Sequence, residues 1–225
     1  MNSLNLKAFG GFLGLFVAMA ALLFIPAWTL DYWQAWVFLA VFLLPALAVT
    51  IYLMKKDPQL LARRVYAGPT AEKETSQKII QCITSLGFMA MLVVPALDHR
   101  FHWSCVSFYG VVAGDLLVAL GFFIIFLVYK ENTFASATIE IYPGQKVIST
   151  GLYALVRHPM YMGGLLFFIG IPLSLGSWRG LFVYLLIMPA LIWRIYDEER
   201  FLTKNLPGYA EYKNNVKYRL IPFVW

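Results

Sequence analysis

Ionisable side chains are dense in two short segments of the second half of this sequence. The first, residues 130–161, contains an Arg-His-Pro triplet that begins at Arg157, and the second, residues 194–200, contains Arg194 and Glu198. Each segment adjoins an apolar run, where an ionisable group is costly and therefore marks a candidate functional site. Both segments offer charged groups that can bind a small molecule.

The first segment has the features of a loop that leads into a helix. Pro159 suits the first turn of a helix, because its missing N–H needs no partner there. The free N–H groups near His158 and Tyr161 then favour an anionic group such as a carboxylate. A simpler interpretation stays open, in which Arg157 and His158 only mark a helix end at the lipid headgroups.

The second segment places two opposite charges on one helix face. Arg194 and Glu198 are four residues apart, so their side chains lie together on a helix and can form an ion pair. Two simpler interpretations stay open. The arginine can extend from an apolar helix to the headgroups, and Glu198-Glu199 can be the solvated turn beyond the membrane.

The composition indicates that lipid, rather than water, surrounds most of the chain. Of the 225 residues, 60% are hydrophobic and 13% are charged, whereas a soluble domain carries roughly 25% charged residues. The formal net charge of +6 is spread over short basic clusters between apolar runs. This distribution suits an anionic membrane surface and argues against nucleic acid as a partner.

Six apolar runs are candidates for transmembrane helices, since about 20 apolar residues cross the ~30 Å hydrocarbon core of a bilayer. The last two are shorter than the others and are joined by a tight turn, as in a helical hairpin. The predicted spans are Ala8–Trp28, Trp33–Met54, Ile79–Leu97, Phe108–Tyr129, Tyr161–Gly176 and Leu181–Tyr196. The predicted fold class is therefore an all-α integral membrane protein with about six transmembrane helices.

The basic residues predict how these spans are oriented, because Lys and Arg concentrate in cytoplasmic segments. With both termini inside, all but two of the 18 basic residues fall on the cytoplasmic side, the exceptions being Arg100 and Arg179. We therefore predict an integral membrane protein with both termini in the cytoplasm. Both polar segments then lie at the cytoplasmic face.

The cysteines and histidines indicate neither a disulfide nor a metal site. Cys82 and Cys105 fall at opposite ends of the predicted spans, whereas the Cα atoms of a disulfide lie within about 7 Å of each other. His99 and His102 belong to the outer side, far from His158. We therefore expect two free thiols and no metal.

Taken in order, the two segments resemble the isoprenylcysteine carboxyl methyltransferase family and, more loosely, the related phospholipid N-methyltransferases. The string Gly-x-Tyr-x-x-x-Arg-His-Pro-x-Tyr-x-Gly runs from Gly151 to Gly163. A hydrophobic hairpin, a Glu-Glu pair and a Tyr-x-x-Tyr motif that ends at Tyr212 follow it. The resemblance extends over the last third of the chain and implies a compact, prokaryotic-type member that lies in the inner (plasma) membrane.

The resemblance implies S-adenosylmethionine as the cofactor, in a cytoplasmic pocket that is not a Rossmann fold. It places Arg194 opposite the methyl acceptor, as the catalytic residue, and Glu198 at the ammonium group of the cofactor. The loop before the fifth span would contact the adenosine, and the start of that span would surround the methionine moiety. The implied cofactor-binding residues are Gln145, Lys146, Val147, Ile148, Tyr153, His158, Pro159, Met160, Tyr161 and Glu198.

The implied organisation is a four-helix transmembrane region, residues 1–130, followed by a methyltransferase core, residues 131–225, with the cofactor loop, the hairpin and a cytoplasmic tail. The implied function is methyl transfer to a lipophilic small molecule, with membrane lipids as the other partners. A carboxylate of isoprenylcysteine type is the first acceptor to consider, because the Arg194 guanidinium can bind it bidentately and it needs no base. Phospholipid amines and small thiols stay open.

A non-enzymatic transporter or sensor is the other class of protein to consider. Transporters place ionisable groups or broken helices near the membrane midplane. The first four predicted spans contain almost no such groups, and the exception is Asp115, whose role the sequence does not assign. This pattern favours the enzyme.

The predicted orientation can be tested with the two cysteines. Cys105 should react with a membrane-impermeant maleimide added to intact cells, whereas Cys82 should react only after the membrane is permeabilised. Labelling of each single-cysteine variant, Cys82→Ser and Cys105→Ser, measures this directly. Labelling of Cys82 alone in intact cells would reverse the orientation and place both polar segments outside.

Overall fold

A computed structural model describes residues 3–225, and that part of the chain contains helices, turns and loops but no strand. The helices are α1 (Ser3–Ala27), α2 (Trp33–Lys56), α3 (Pro58–Val65), α4 (Thr75–Phe101), α5 (Phe108–Glu131), α6 (Pro159–Ser174), α7 (Gly180–Asn205) and α8 (Tyr209–Asn215). A short 3₁₀ turn, Gly151–Ala154, lies in the connection between α5 and α6. The structure confirms the predicted all-α fold class.

Five of these helices, namely α1, α2, α4, α5 and α7, are long and apolar enough to cross a membrane. The predicted fifth span corresponds to α6, which has 16 residues and is therefore about 24 Å long at 1.5 Å per residue. In contrast, α7 has 26 residues and continues to Asn205, beyond Tyr196, where the predicted apolar span ends. The charged residues that follow Tyr196 lie on this helix, as the predicted shared face of Arg194 and Glu198 requires, and Glu and Arg favour helices.

Although α6 is short, it runs from one end of the bundle to the other. Its N-terminus lies at the candidate site, and the turn after its C-terminus is bonded to the opposite end. There Asp98 accepts hydrogen bonds from Ser104 N, at 2.6 Å, and from the Ser177 hydroxyl. Tyr32 Oη donates to the Leu175 carbonyl at 2.6 Å. These bonds fix the far end of the α6–α7 hairpin against α2 and α4.

Helices α5 and α6 approach each other closely at two glycine pairs. A Cβ atom on Gly121 would lie 2.7 Å from the Gly163 carbonyl oxygen, and one on Gly170 would lie 2.7 Å from the Gly114 carbonyl oxygen. Only glycine fits at such distances, and small residues of this kind are typical of membrane helix interfaces. The packing holds the N-terminus of α6 in place. It also joins the two predicted domains, whose division at residue 130 stays a prediction.

The C-terminal tail folds back onto the start of α6. The backbone N–H groups of Arg157 and His158 donate to the carbonyls of Tyr218 and Arg219, both at 2.9 Å. Leu220 is 1% exposed and packs in a small apolar cluster with α6 and α7. The tail thus supports the loop that carries the Arg-His-Pro triplet.

Cys82 and Cys105 are both free thiols and both are exposed on the protein surface. Within residues 3–225, no group of three or more His, Cys, Asp or Glu side chains is arranged to hold a metal ion.

Candidate active site

A cavity lies at the end of the bundle where α6 begins and α7 ends. Its walls come from the α5–α6 connection, the first turn of α6, the last turns of α7, and α8. It contains about 850 Å³ of empty space, part of which is open to solvent. All the predicted cofactor-binding residues line it, namely Gln145, Lys146, Val147, Ile148, Tyr153, His158, Pro159, Met160, Tyr161 and Glu198. Arg194 is not among the lining residues.

The first turn of α6 faces the cavity with backbone donors that the helix does not use. Pro159 is the first helical residue and His158 precedes it, as the sequence predicts. The first N–H groups of any helix lack an acceptor within it, so those of Met160 and Tyr161 are available to a ligand. An anionic group bound here would also meet the positive end of the helix dipole.

Glu198 and Glu199 are neighbours in the sequence but point in different directions, because successive residues of a helix are about 100° apart. Glu198 lines the cavity and accepts a 2.7 Å hydrogen bond from Tyr161 Oη. Glu199 is 3% exposed and lies inside the protein, next to the cavity. The interpretation of this pair as a solvated turn is therefore wrong for Glu199.

A buried ionic cluster around Glu199 joins the start of α6, α7 and the C-terminal tail. Glu199 accepts hydrogen bonds from Arg157 Nε at 2.8 Å and Arg219 Nε at 3.2 Å, and His158 Nε2 lies 3.4 Å away. Arg157 also donates to two backbone carbonyls at the end of α8, at 3.2 and 3.0 Å. Because its donors bind protein acceptors, Arg157 does not mark a helix end at the lipid headgroups. It holds the cavity walls together.

Arg194 is buried and directs four of its N–H groups at protein acceptors. Its Nε donates to Tyr161 Oη at 3.0 Å, and Nη1 donates to Gln77 Oε1 at 2.8 Å. Its Nη2 donates to Glu72 Oε1 at 2.9 Å and to the Ala137 carbonyl at 3.0 Å. Since a guanidinium has five N–H donors, one remains. An arginine held in this way does not extend to the headgroups, so that interpretation is wrong.

The predicted ion pair between Arg194 and Glu198 is not formed directly. Tyr161 Oη lies between the two side chains, accepting from Arg194 Nε and donating to Glu198 Oε2. The acid that pairs with Arg194 is Glu72, and the exposed fractions of the two side chains are 10% and 1%. Tyr161 therefore connects a buried ion pair to the carboxylate in the cavity wall.

Sequence reasoning misses Glu72 and Gln77, the two side chains that hold the Arg194 guanidinium from the other side. Glu72 belongs to the loop between α3 and α4, and Gln77 to the first turn of α4, more than 100 positions before Arg194. The available signal is the arginine itself, because a charge inside an apolar helix requires a partner of opposite charge. The few acids of that otherwise basic loop are the natural places to look.

Besides Tyr161, three further tyrosines line the cavity, namely Tyr153, Tyr209 and Tyr212. Asn132 Nδ2 donates to Tyr153 Oη at 2.9 Å, and Tyr212 Oη donates to the Tyr153 carbonyl at 2.7 Å. Burial raises the pKa of Tyr153 to about 12, and burial also raises the pKa values of Tyr209 and Tyr212. These phenols are therefore neutral hydrogen-bonding groups near pH 7 and not bases.

Tyr209 Oη is buried in the structure without a hydrogen-bond partner. Its ring lines the cavity, beside the apolar side chains of Val147, Ile148 and Leu206. A buried hydroxyl without a partner costs about 1–3 kcal/mol, so a ligand that supplies a polar group at this point would be stabilised. The cavity thus combines a carboxylate, a helix N-terminus, an apolar wall and a tyrosine whose buried hydroxyl lacks a partner.

Comparison with known proteins gives one family match for this part of the chain. Residues 109–208 match the family model described as phospholipid methyltransferase. The matched range contains nearly all of α5, the connection to α6 and the α6–α7 hairpin, and it ends just before α8. It thus includes every cavity residue named so far except Tyr209 and Tyr212, and it supports a membrane methyltransferase.

A second similarity is more distant. The chain is 32% identical over 91 residues to Delta(14)-sterol reductase TM7SF2 of Mus musculus, which corresponds to 39% of this chain and 22% of that protein. The matched part is therefore about a fifth of the length of that relative.

The Glu72–Arg194 ion pair should be important for stability. Glu72→Gln leaves the guanidinium buried without its counter-charge, so we expect the free energy of unfolding to fall by about 3 kcal/mol, as for other broken buried pairs. Thermal unfolding of the purified protein in detergent measures this. Glu74→Gln is the matched control, because Glu74 is exposed two positions away. Equal unfolding temperatures for both variants would mean that the pair is not important.

Proposed function

We propose that this protein transfers a methyl group from S-adenosylmethionine to a lipophilic acceptor that reaches it through the membrane. The observation that carries the proposal is that one cavity is lined by Glu198, by the first turn of α6 and by Tyr209, whose buried hydroxyl has no partner. The match of residues 109–208 to phospholipid methyltransferases supports the same chemistry. That match also favours an enzyme over the alternative of a transporter or sensor.

The residues of the cavity fit the charges of this cofactor. Glu198 would hold the ammonium group, and the free N–H groups of Met160 and Tyr161 would hold the carboxylate. The loop of Gln145 to Ile148 would contact the adenosine, with the Tyr209 hydroxyl available to its polar edge. When bound, the cofactor would supply a methyl group on a positively charged sulfur. The leaving group would be the neutral thioether, which leaves readily.

The work of the protein in such a reaction is positioning. A bond forms between the acceptor atom and the methyl carbon as the carbon–sulfur bond breaks, and the bonding electrons leave with sulfur to give a neutral thioether. Alignment of the reacting atoms can lower the barrier by roughly 7–11 kcal/mol. The tyrosines of the cavity stay protonated and accept no proton. An ammonium acceptor would have to lose a proton, to water or to a cavity carboxylate such as Glu198, before it attacks, whereas a carboxylate acceptor has none to release.

The contacts of Arg194 remove the argument from bidentate binding that favours a carboxylate acceptor. Bidentate binding of a carboxylate needs two adjacent N–H groups, and Arg194 has only one donor that is not bonded to the protein. The isoprenylcysteine-type carboxylate is therefore a candidate without the arginine contact that the sequence predicts for it. A phospholipid amine is the second candidate, favoured by the family match.

We further propose that Arg194 is a positioning residue. Its Nε holds Tyr161 Oη at 3.0 Å, and Tyr161 Oη in turn donates to Glu198 at 2.7 Å. The arginine thereby fixes the carboxylate that would bind the ammonium of the cofactor. It acts from behind the cavity wall, without touching the acceptor.

Binding of the cofactor should depend on Glu198. Glu198→Gln removes the charge and keeps the shape, so we expect binding of S-adenosylhomocysteine to weaken by about 1–3 kcal/mol, the cost of losing a charge-assisted hydrogen bond. Isothermal titration of the folded variant in detergent measures the dissociation constant. Glu211→Gln is the control, because Glu211 is exposed on α8.

Two outcomes of this titration would count against the proposal. An unchanged dissociation constant in Glu198→Gln would remove the glutamate from the cofactor site. Binding of a reduced nicotinamide nucleotide in place of S-adenosylhomocysteine would contradict methyl transfer. It would favour a reductase, the class of the more distant relative, instead.

The positioning role of Arg194 predicts a specific pattern of coupling. Arg194→Lys and Tyr161→Phe should each weaken binding of S-adenosylhomocysteine about threefold to tenfold. The double variant should bind it no more weakly than the single variant with the lower affinity, because the two residues act through one hydrogen-bonded chain. If Arg194 faces the acceptor instead, Arg194→Lys would cut methyl transfer at least tenfold and leave this affinity within threefold.

A further inference from the structure

A second cavity opens between α1, α2, α3, α5 and α6, and we call it the side groove. It is larger than the candidate active site, with about 1420 Å³ of empty space, part of which is open to the surroundings. Most of its lining is apolar, for example Leu15, Ala46, Val49 and Ile125. Much of it comes from α1, α2 and α3, which lie outside the range that matches phospholipid methyltransferases.

The length of the side groove corresponds to one leaflet of a bilayer. Along α2 its lining runs from Phe42 to Leu53 on one helix face, which is about 16 Å at 1.5 Å per residue. A hydrocarbon core is ~30 Å thick, so the groove is about half as long. It ends at Lys7 and Arg64, near the end of the bundle that holds the active site.

The polar groups of the side groove are basic at that end. Lys7 and Arg64 line it there, and no acidic side chain is among the lining residues that the structure describes. The hydroxyl of Thr50, which also lines it, donates to the Ala46 carbonyl at 2.8 Å and so needs no other partner. The side groove is long and apolar and ends in two cations, so it is complementary to an apolar chain that ends in an anion.

Arg64 connects the side groove to the active-site cavity. Its Nη1 donates to the Ser136 carbonyl at 3.0 Å and lies 3.7 Å from Met160 Sδ. Both Ser136 and Met160 line the active-site cavity. The basic end of the groove is therefore one side chain away from the place where the methyl donor would bind.

We infer that the side groove binds an acyl chain of a phosphate-bearing lipid from the leaflet at the active-site end, with the phosphate at Lys7 and Arg64. The headgroup beyond the phosphate then points towards the active-site cavity. This second step rests on the proposed function, because it makes the bound lipid the methyl acceptor. The binding of the chain in the groove does not depend on it.

Neighbouring glycines of α1 provide a matched pair of variants for testing the inference. An added Cβ meets no atom within 4 Å at either Gly10 or Gly11. Gly11 lines the side groove, whereas Gly10 does not. Gly11→Leu should therefore fill the groove without disturbing the packing, and Gly10→Leu should add the same side chain outside it.

The probe is a phosphatidylethanolamine with a photoactivatable diazirine near the end of one acyl chain, diluted into phosphatidylcholine nanodiscs that contain the full-length protein. After illumination, mass spectrometry of the peptides should locate the label on groove residues of α1, α2 or α5. We expect labelling to fall about fivefold or more in Gly11→Leu and to stay unchanged in Gly10→Leu. Equal labelling in both variants, or label spread evenly over the lipid-facing surface, would contradict the inference.

A diacylglycerol probe with the same diazirine-bearing chain tests the phosphate. The host phosphatidylcholine also carries a phosphate and competes equally with both probes, so we expect the diacylglycerol probe to label the groove about tenfold less than the phosphatidylethanolamine probe. Lys7→Gln should reduce this difference, because Lys7 is exposed and lines only the groove. Equal labelling by the two probes would show that the groove does not recognise phosphate.

Titration of S-adenosylhomocysteine separates this inference from the proposed function. We expect Gly11→Leu to leave that affinity unchanged while raising the KM for a phospholipid acceptor. Groove labelling without any binding of S-adenosylhomocysteine would overturn the methyltransferase and leave the lipid site standing. Binding of S-adenosylhomocysteine without groove labelling would do the reverse.

Discussion

The buried guanidinium of Arg194 is the constraint around which the site is organised. A charge inside an apolar helix is tolerated only when opposite charge and hydrogen-bond acceptors surround it. Glu72, Gln77, Tyr161 and the Ala137 carbonyl provide them. These partners belong to the loop before α4, to α4, to α6 and to the α5–α6 connection, so one side chain of α7 determines where four other segments lie.

The need of Arg194 for hydrogen-bond acceptors also fixes the position of Glu198 in the cavity wall. Glu198 accepts a hydrogen bond from Tyr161 Oη, which itself accepts one from Arg194 Nε. On the adjacent face of α7, Glu199 neutralises Arg157 and Arg219 and so attaches the C-terminal tail. One face of the helix end thus lines the cavity and the other joins α7 to the C-terminal tail, and the Arg-His-Pro triplet contributes to both.

Much of this arrangement is predictable from sequence, for identifiable reasons. Apolar runs locate the membrane helices because their length is set by the bilayer, and Pro159 marks the start of α6 because the first turn does not need the N–H that proline lacks. The lining of the cavity follows from a resemblance that spans contiguous motifs. What the sequence does not provide is the partner of Arg194, since Glu72 lies 122 positions away and no local spacing connects the two.

The errors have a common physical origin. The i,i+4 rule predicts an Arg194–Glu198 pair because it considers one helix alone, but Tyr161 from α6 occupies the space between them. The side groove is invisible to sequence reasoning, as it consists of ordinary apolar residues on separate helices.

The central claim is that the cavity between α6, α7 and α8 binds an S-adenosyl cofactor, and a crystal structure of the protein with S-adenosylhomocysteine tests it most directly. We predict density for the nucleotide in this cavity, with the amino group beside Glu198, the carboxylate at the first turn of α6 and a hydroxyl or ring nitrogen near Tyr209 Oη. Density at another place on the protein, or an empty cavity at a saturating ligand concentration, would contradict the claim.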